Sequence, residues 1–76
     1  MVKKIVILNF PGELLKEPII YNLGQQFCLV TNIHLAKITE DIGWLKIELE
    51  GESEKIDEGL NWVMSHGIRV EPIAED

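Results

Sequence analysis

Residues Trp44 to Glu50 alternate between apolar and polar without a break. Leu45, Ile47 and Leu49 take one parity, and Trp44, Lys46, Glu48 and Glu50 take the other. A period of two is the mark of a strand buried on one face only. Such a strand must lay its aliphatic side on a core and turn its other side elsewhere. Here that other side carries a tryptophan among charges. The core has to come from the rest of a 76-residue chain. A chain of this size buries only about 60% of its unfolded surface, which leaves room for one domain, expected to span residues 1–76.

The neighbouring segments supply the partners. Val2 to Phe10 is β-branched and apolar, with apolar residues on both parities from Ile5 to Leu8, as in a central strand; Pro11-Gly12 ends it. A helix is predicted from near Glu17, with Pro18 in its first turn and Ile19, Ile20, Leu23 and Phe27 on one stripe. Cys28 to Ile38 reads as a second strand. Leu29, Thr31, Ile33 and Leu35 fall on one face, and Val30, Asn32, His34 and Ala36 on the other. Thr39 to Gly43 is the expected hairpin turn before the strand at Trp44. Ser53 is the expected N-cap of a second helix with Ile56, Leu60 and Val63 inward, and Gly67 its C′ residue. Ile68 to Ile73 completes the set as a last strand, followed by an acidic tail.

The order strand, helix, strand, strand, helix, strand specifies an α+β fold. It is a ferredoxin-like βαββαβ two-layer sandwich with a four-stranded antiparallel sheet, strands 1 and 3 central, and both helices on one face. One sheet face is left without helices. By alternation Ile5, Ile7, Val30 and Trp44 point out on that face, forming an apolar pad suited to a contact surface, most simply with a second copy. Asn9, Asn32 and His34 share it; an amide carries donors and an acceptor, and can read a small polar ligand.

Composition narrows the chemistry. The net charge of −6 and the lack of a basic stripe argue against nucleic acid. The single Cys28 rules out an internal disulfide, as suits a reducing cytoplasm, and gives too few thiols for a cluster or a Cys₄ zinc site. His34, His66 and Cys28 match no metal-ligand spacing, so no metal and no cofactor are expected. No run approaches the ~20 apolar residues of a membrane span. Ser53 and Ser65 read as helix-end residues, and Glu48, Glu50, Glu52 and Glu54 as a solvated edge. No nucleophile–base pair is legible, so the domain is expected to bind and not to catalyse.

Four segments carry a family resemblance: Leu8-Asn9-Phe10-Pro11-Gly12, Val30-Thr31-Asn32-Ile33-His34, Gly43 to Gly51, and His66-Gly67-Ile68-Arg69-Val70-Glu71. Together they resemble the NIL domain, over nearly the whole chain and in register. The family is named for an Asn-Ile-Leu stretch, which here reads Asn32-Ile33-His34. The resemblance implies a regulatory domain of the kind found at the C-terminus of the ATPase subunit of methionine ABC importers. There such domains pair and bind methionine, inhibiting transport; others are joined to iron–sulfur ferredoxin modules. It implies that Asn32 is the binding asparagine; Ile33 and His34 follow it in the motif, and alternation puts Asn9 on the same face, so these four are the candidate ligand-binding residues.

Two functions are therefore expected of the isolated 76 residues. The first is a cytoplasmic sensing module that binds methionine or a similar amino acid as a homodimer. The second is a ligand-free module that docks through Ile5, Ile7 and Trp44 on an ABC transporter or a ferredoxin-type partner.

Overall fold

The structure, a computed structural model, describes residues 1–12 and 18–73. Its elements run β1 (Val2–Pro11), α1 (Ile19–Phe27), β2 (Val30–Ile38), β3 (Ile42–Gly51), α2 (Ser53–Ser65) and β4 (Arg69–Pro72). The strands form one antiparallel sheet in the order β2-β3-β1-β4. The ferredoxin-like arrangement expected from the element order is the one observed.

The core is built from the aliphatic parity of the two central strands. Val6, Leu8 and Phe10 of β1 and Leu45, Ile47 and Leu49 of β3 are buried. They join Ile19 and Leu23 of α1 and Ile56, Leu60 and Val63 of α2 in one cluster, so both helices pack on the same sheet face. Leu29 and Ile68, just ahead of β2 and β4, close its ends. The helices approach closely at Gly59, where a Cβ would stand 2.8 Å from Leu23 Cδ1. Phe27 packs on Trp62 with ring centroids 6.0 Å apart, and Trp62 in turn meets His66 at 4.5 Å. One tryptophan, Trp62, thus belongs to the helical layer, and Trp44 to the opposite side of the sheet.

Several element boundaries differ from the expectation; β3 begins at Ile42 and not at Trp44, so the last two residues of the expected Thr39–Gly43 turn are already strand, and β4 is Arg69–Pro72, one residue shorter at each end. The start of the first helix near Glu17 lies outside the described residues; Pro18 occupies the N-cap position, one before the first helical residue Ile19. Ser53 is not the N-cap of α2 but its first helical residue. The N-cap is Glu52, with extended backbone (φ −70°, ψ 140°) and no side-chain cap, and its carbonyl accepts from the Ile56 amide at 3.0 Å. The strand after α1 begins at Val30 and not at Cys28, because Cys28 takes the left-handed conformation (φ 55°) that ends the helix. Gly67 is the expected C′ residue of α2, at φ 86° with its amide on the Met64 carbonyl at 3.0 Å.

The largest difference is in β2. Asn32 pairs with Glu48 and Ile33 with Ile47, but the next pair is Leu35 with Lys46, so His34 is an extra residue on β2. This bulge shifts the alternation by one. Beyond it Leu35 crosses to the uncovered face, where it pairs with Lys46, and Ala36 takes the helix side opposite Leu45. The expected assignment of Leu35 and Ala36 to their faces is thereby reversed.

Candidate functional site

Residues directly opposed on antiparallel strands project from the same face. The register therefore lays out the uncovered face as rows. One row reads Lys37, Trp44, Asn9 and Arg69 from β2 to β4. The next reads Leu35, Lys46, Ile7 and Glu71. A third holds Asn32, Glu48 and Ile5, and a fourth Val30, Glu50 and Lys3. Ile5, Ile7 and Trp44 are half-buried among these neighbours, while Val30 on the edge strand is exposed. The four apolar residues expected on this face all lie on it.

The polar residues expected to act together are split into two places. Asn32 and His34 stand beside Glu48, whose Oε1 is 3.2 Å from His34 Nε2. Asn9 lies two strands and two rows away, about 10 Å across and about 13 Å along at ordinary strand spacing. Ile33 points to the helix side, opposite the buried Ile47, and is still 49% exposed. The Asn32-Ile33-His34 stretch thus does not turn all three side chains to one face of the sheet.

Asn9 instead lines a groove of about 660 Å³ with Leu35, Ala36, Lys37, Thr39, Ile42 and Trp44. The end of the β2–β3 hairpin forms one wall. The Thr39 amide and its Oγ1 both donate to the Ile42 carbonyl, at 2.9 and 3.2 Å, which holds the turn. A smaller hollow of about 280 Å³ adjoins it through Asn9 and Ile42 and reaches Asp41 and Arg69. Arg69 is itself paired with Glu71, Nη2 to Oε1 at 3.0 Å. Leu35, Lys37 and Ile42 are groove residues that simple alternation did not pick out. Alternation puts Leu35 on the opposite face because the bulge has no signal in the local sequence, and Ile42 falls within the expected turn.

Among the described residues, no group of three or more His, Cys, Asp or Glu side chains is placed to hold a metal ion. No helix among them is long and apolar enough to cross a membrane.

Comparison with known proteins agrees with the geometry. The NIL domain family matches residues 4–72. The chain is 32% identical over 75 residues to the methionine import ATP-binding protein MetN of Halalkalibacterium halodurans. That match covers 93% of this chain but 22% of the relative, so the chain spans about a fifth of that protein. Among solved structures, the C-terminal domain of an ABC transporter ATP-binding protein from Enterococcus faecalis superposes with a TM-score of 0.84 at 30% identity. The superposition covers 96% of this chain and 86% of that one. Sequence, sheet order and superposition converge: the chain belongs to the NIL domain family.

Proposed function

We propose that this domain is a cytoplasmic regulatory module that binds methionine or a similar amino acid on the uncovered sheet face, works as a homodimer, and signals to an ABC transporter without catalysing a reaction. The observation that carries this reading is the one-sided burial of the sheet. Both helices pack on one face, and the other holds Ile5, Ile7, Val30, Leu35 and Trp44 around amide side chains. The kinship with a methionine import ATPase and with an ABC transporter C-terminal domain supports the class of ligand and partner. The edge strand β2 supports pairing. It offers nine residues of strand edge with Val30, Ile33, Leu35 and Ile38 each about half or more exposed.

Calorimetric titration with L-methionine tests the ligand. Saturable heat and a rise in melting temperature are expected, since a ligand that binds only the folded form stabilises it. Absence of both at millimolar methionine rejects sensing. The unpaired β2 edge also favours a second reading, in which a transporter ATPase docks there and no small ligand is needed. Retained transporter binding together with absent methionine binding would select that reading.

A further inference from the structure

We infer that the outer half of the β2–β3 hairpin has two registers, and that the contact of His34 with Glu48 selects the observed one. Beyond the pair Ile33–Ile47, β2 brings one residue more to the hairpin than β3 does. In the observed register that residue is His34, set aside in the bulge, and the turn is Glu40-Asp41, between Thr39 and Ile42. In the second register there is no bulge, and the surplus residue lies in the turn, which becomes Thr39-Glu40-Asp41. His34 then opposes Lys46, Leu35 opposes Leu45, Ala36 opposes Trp44 and Ile38 opposes Ile42. No cross-strand pair is lost, because His34 enters the ladder as Thr39 leaves it. The two registers exist whatever ligand or partner the domain takes.

The turn favours the second register. A two-residue hairpin loop matches the twist of its strands when its first residue, or both, has positive φ. Neither Glu40 nor Asp41 does. A three-residue loop asks for the left-handed conformation only at its third position, here Asp41, and aspartate is among the residues that adopt it most readily. The residue pattern favours the second register too: without a bulge Leu29, Thr31, Ile33 and Leu35 keep one face, and Leu35 meets the buried Leu45. Burial restrains the exchange little, since Leu35 is 56% and Ile38 63% exposed in the observed register. β2 is an edge strand, so a shift in its outer half disturbs pairing with β3 alone. On the other side stand two contacts at the surface. His34 Nε2 lies 3.2 Å from Glu48 Oε1, which holds the imidazole out of the ladder, and the Thr39 hydroxyl donates to the Ile42 carbonyl at 3.2 Å. Contacts this exposed carry little weight, so they select only between states already near balance.

The registers differ in what the outer hairpin presents. The bulged one puts Leu35 and Lys37 beside Trp44 and interrupts the free edge of β2. A bulge is one of the means by which an edge strand is kept from pairing. The unbulged one puts Ala36 opposite Trp44, withdraws Lys37 to the helix side and leaves the edge regular from Val30 to Ile38. A molecule that binds one of these surfaces more tightly than the other moves the hairpin toward it. The hairpin is thus a switch between a guarded edge and an edge ready to pair, worked by moving one residue from strand to turn.

Nuclear magnetic resonance on the isotope-labelled chain tests this: relaxation dispersion reads the exchange, and cross-strand Overhauser contacts read the register. Two variants pull in opposite directions. His34→Val removes the contact with Glu48 and suits the ladder, and is expected to move the balance about tenfold or more toward the unbulged register. Glu40→Gly suits a two-residue loop with positive φ at its first position, and is expected to move it about as far the other way. Both side chains are exposed, so circular dichroism is expected to show both variants folded. The unaltered chain is expected to show one exchange process over residues 34–43 and none over Val30, Thr31 or β4. In His34→Val, contacts between Ala36 and Trp44 are expected to replace those between Lys37 and Trp44, and in Glu40→Gly the exchange is expected to vanish. A His34→Val chain that keeps Lys37 opposite Trp44 overturns the second register, whatever exchange the unaltered chain shows. Exchange that runs through Val30 and Thr31 as well overturns it in favour of β2 detaching as a unit.

Discussion

The two edges of the sheet are built in opposite ways. β4 is four residues long, bears Arg69 and Glu71 on the open face and ends at Pro72. Shortness, charge and proline are the ordinary means of keeping an edge strand from pairing. β2 is nine residues long and has apolar residues on both faces. Its protection is limited to the bulge at His34 and the charge of Lys37. The residues from Pro18 to Thr39, which include all of α1 and β2, contain no acid in a chain of net charge −6. A stretch without acids lowers the like-charge repulsion that two acidic copies meet when they approach by it. The sheet is closed at β4 and open at β2.

Both edges are reached through a left-handed residue, and there too they differ. β4 follows Gly67 at φ 86°, which a glycine adopts freely, whereas β2 follows Cys28 at φ 55°, where a side chain carries a cost.

The difference can be broken at several points. The largest effect is expected inside one cross-strand pair, Ile33 of β2 and Ile47 of β3. Ile47 is fully buried and Ile33 half exposed. Ile47→Ala is expected to lower the unfolding free energy by about 2–5 kcal/mol, enough to unfold much of so small a domain. Ile33→Ala is expected to cost about 1 kcal/mol or less. Urea titration of the two variants measures the contrast; equal losses would mean that β2 is covered in the free protein.

A charge on the open edge comes next. Ile33→Glu is expected to weaken self-association about tenfold or more while the fold persists, and Arg69→Glu on β4 to leave it unchanged. Sedimentation equilibrium reads both. If Arg69→Glu alone separates the copies, they meet at β4 and the comparison of edges is reversed.

The smallest effects concern the residues that lead into the edges. Gly67→Ala is expected to lose about 1 kcal/mol, and Cys28→Gly to gain a few tenths up to about 1 kcal/mol. Thermal unfolding resolves opposite signs more securely than either size. A loss in Cys28→Gly would show that the thiol contributes packing worth more than the backbone cost.

The central strands were legible because their pattern and their burial have the same cause. Leu45, Ile47 and Leu49 alternate because one face of β3 meets the helices, and Val6, Leu8 and Phe10 answer them across β1. The pad of Ile5, Ile7, Val30 and Trp44 followed from the same parity. Alternation failed on β2, where one residue is inserted against the partner strand. An inserted residue changes the pairing count without changing local propensity, so nothing in the residues from Val30 to Ile38 announces it. The ends of α2 were legible to within a residue; at Ser53, a good capping side chain stands one position inside the helix and makes no cap bond.

The sequence by itself therefore determined the elements, their order, the aliphatic core and the existence of an uncovered face. Each of these depends on periodicity within a single segment or on the order of segments along the chain. The tertiary structure alone decided which polar residues share a place on that face. Asn9 and Asn32 have the parity for it, but their separation depends on the registers of β1 and β2 against β3. The bulge sets the second of these and brings Leu35 and Lys37 beside Trp44, leaving Asn32 with Glu48 and His34. Register is a relation between strands, and no single strand encodes it.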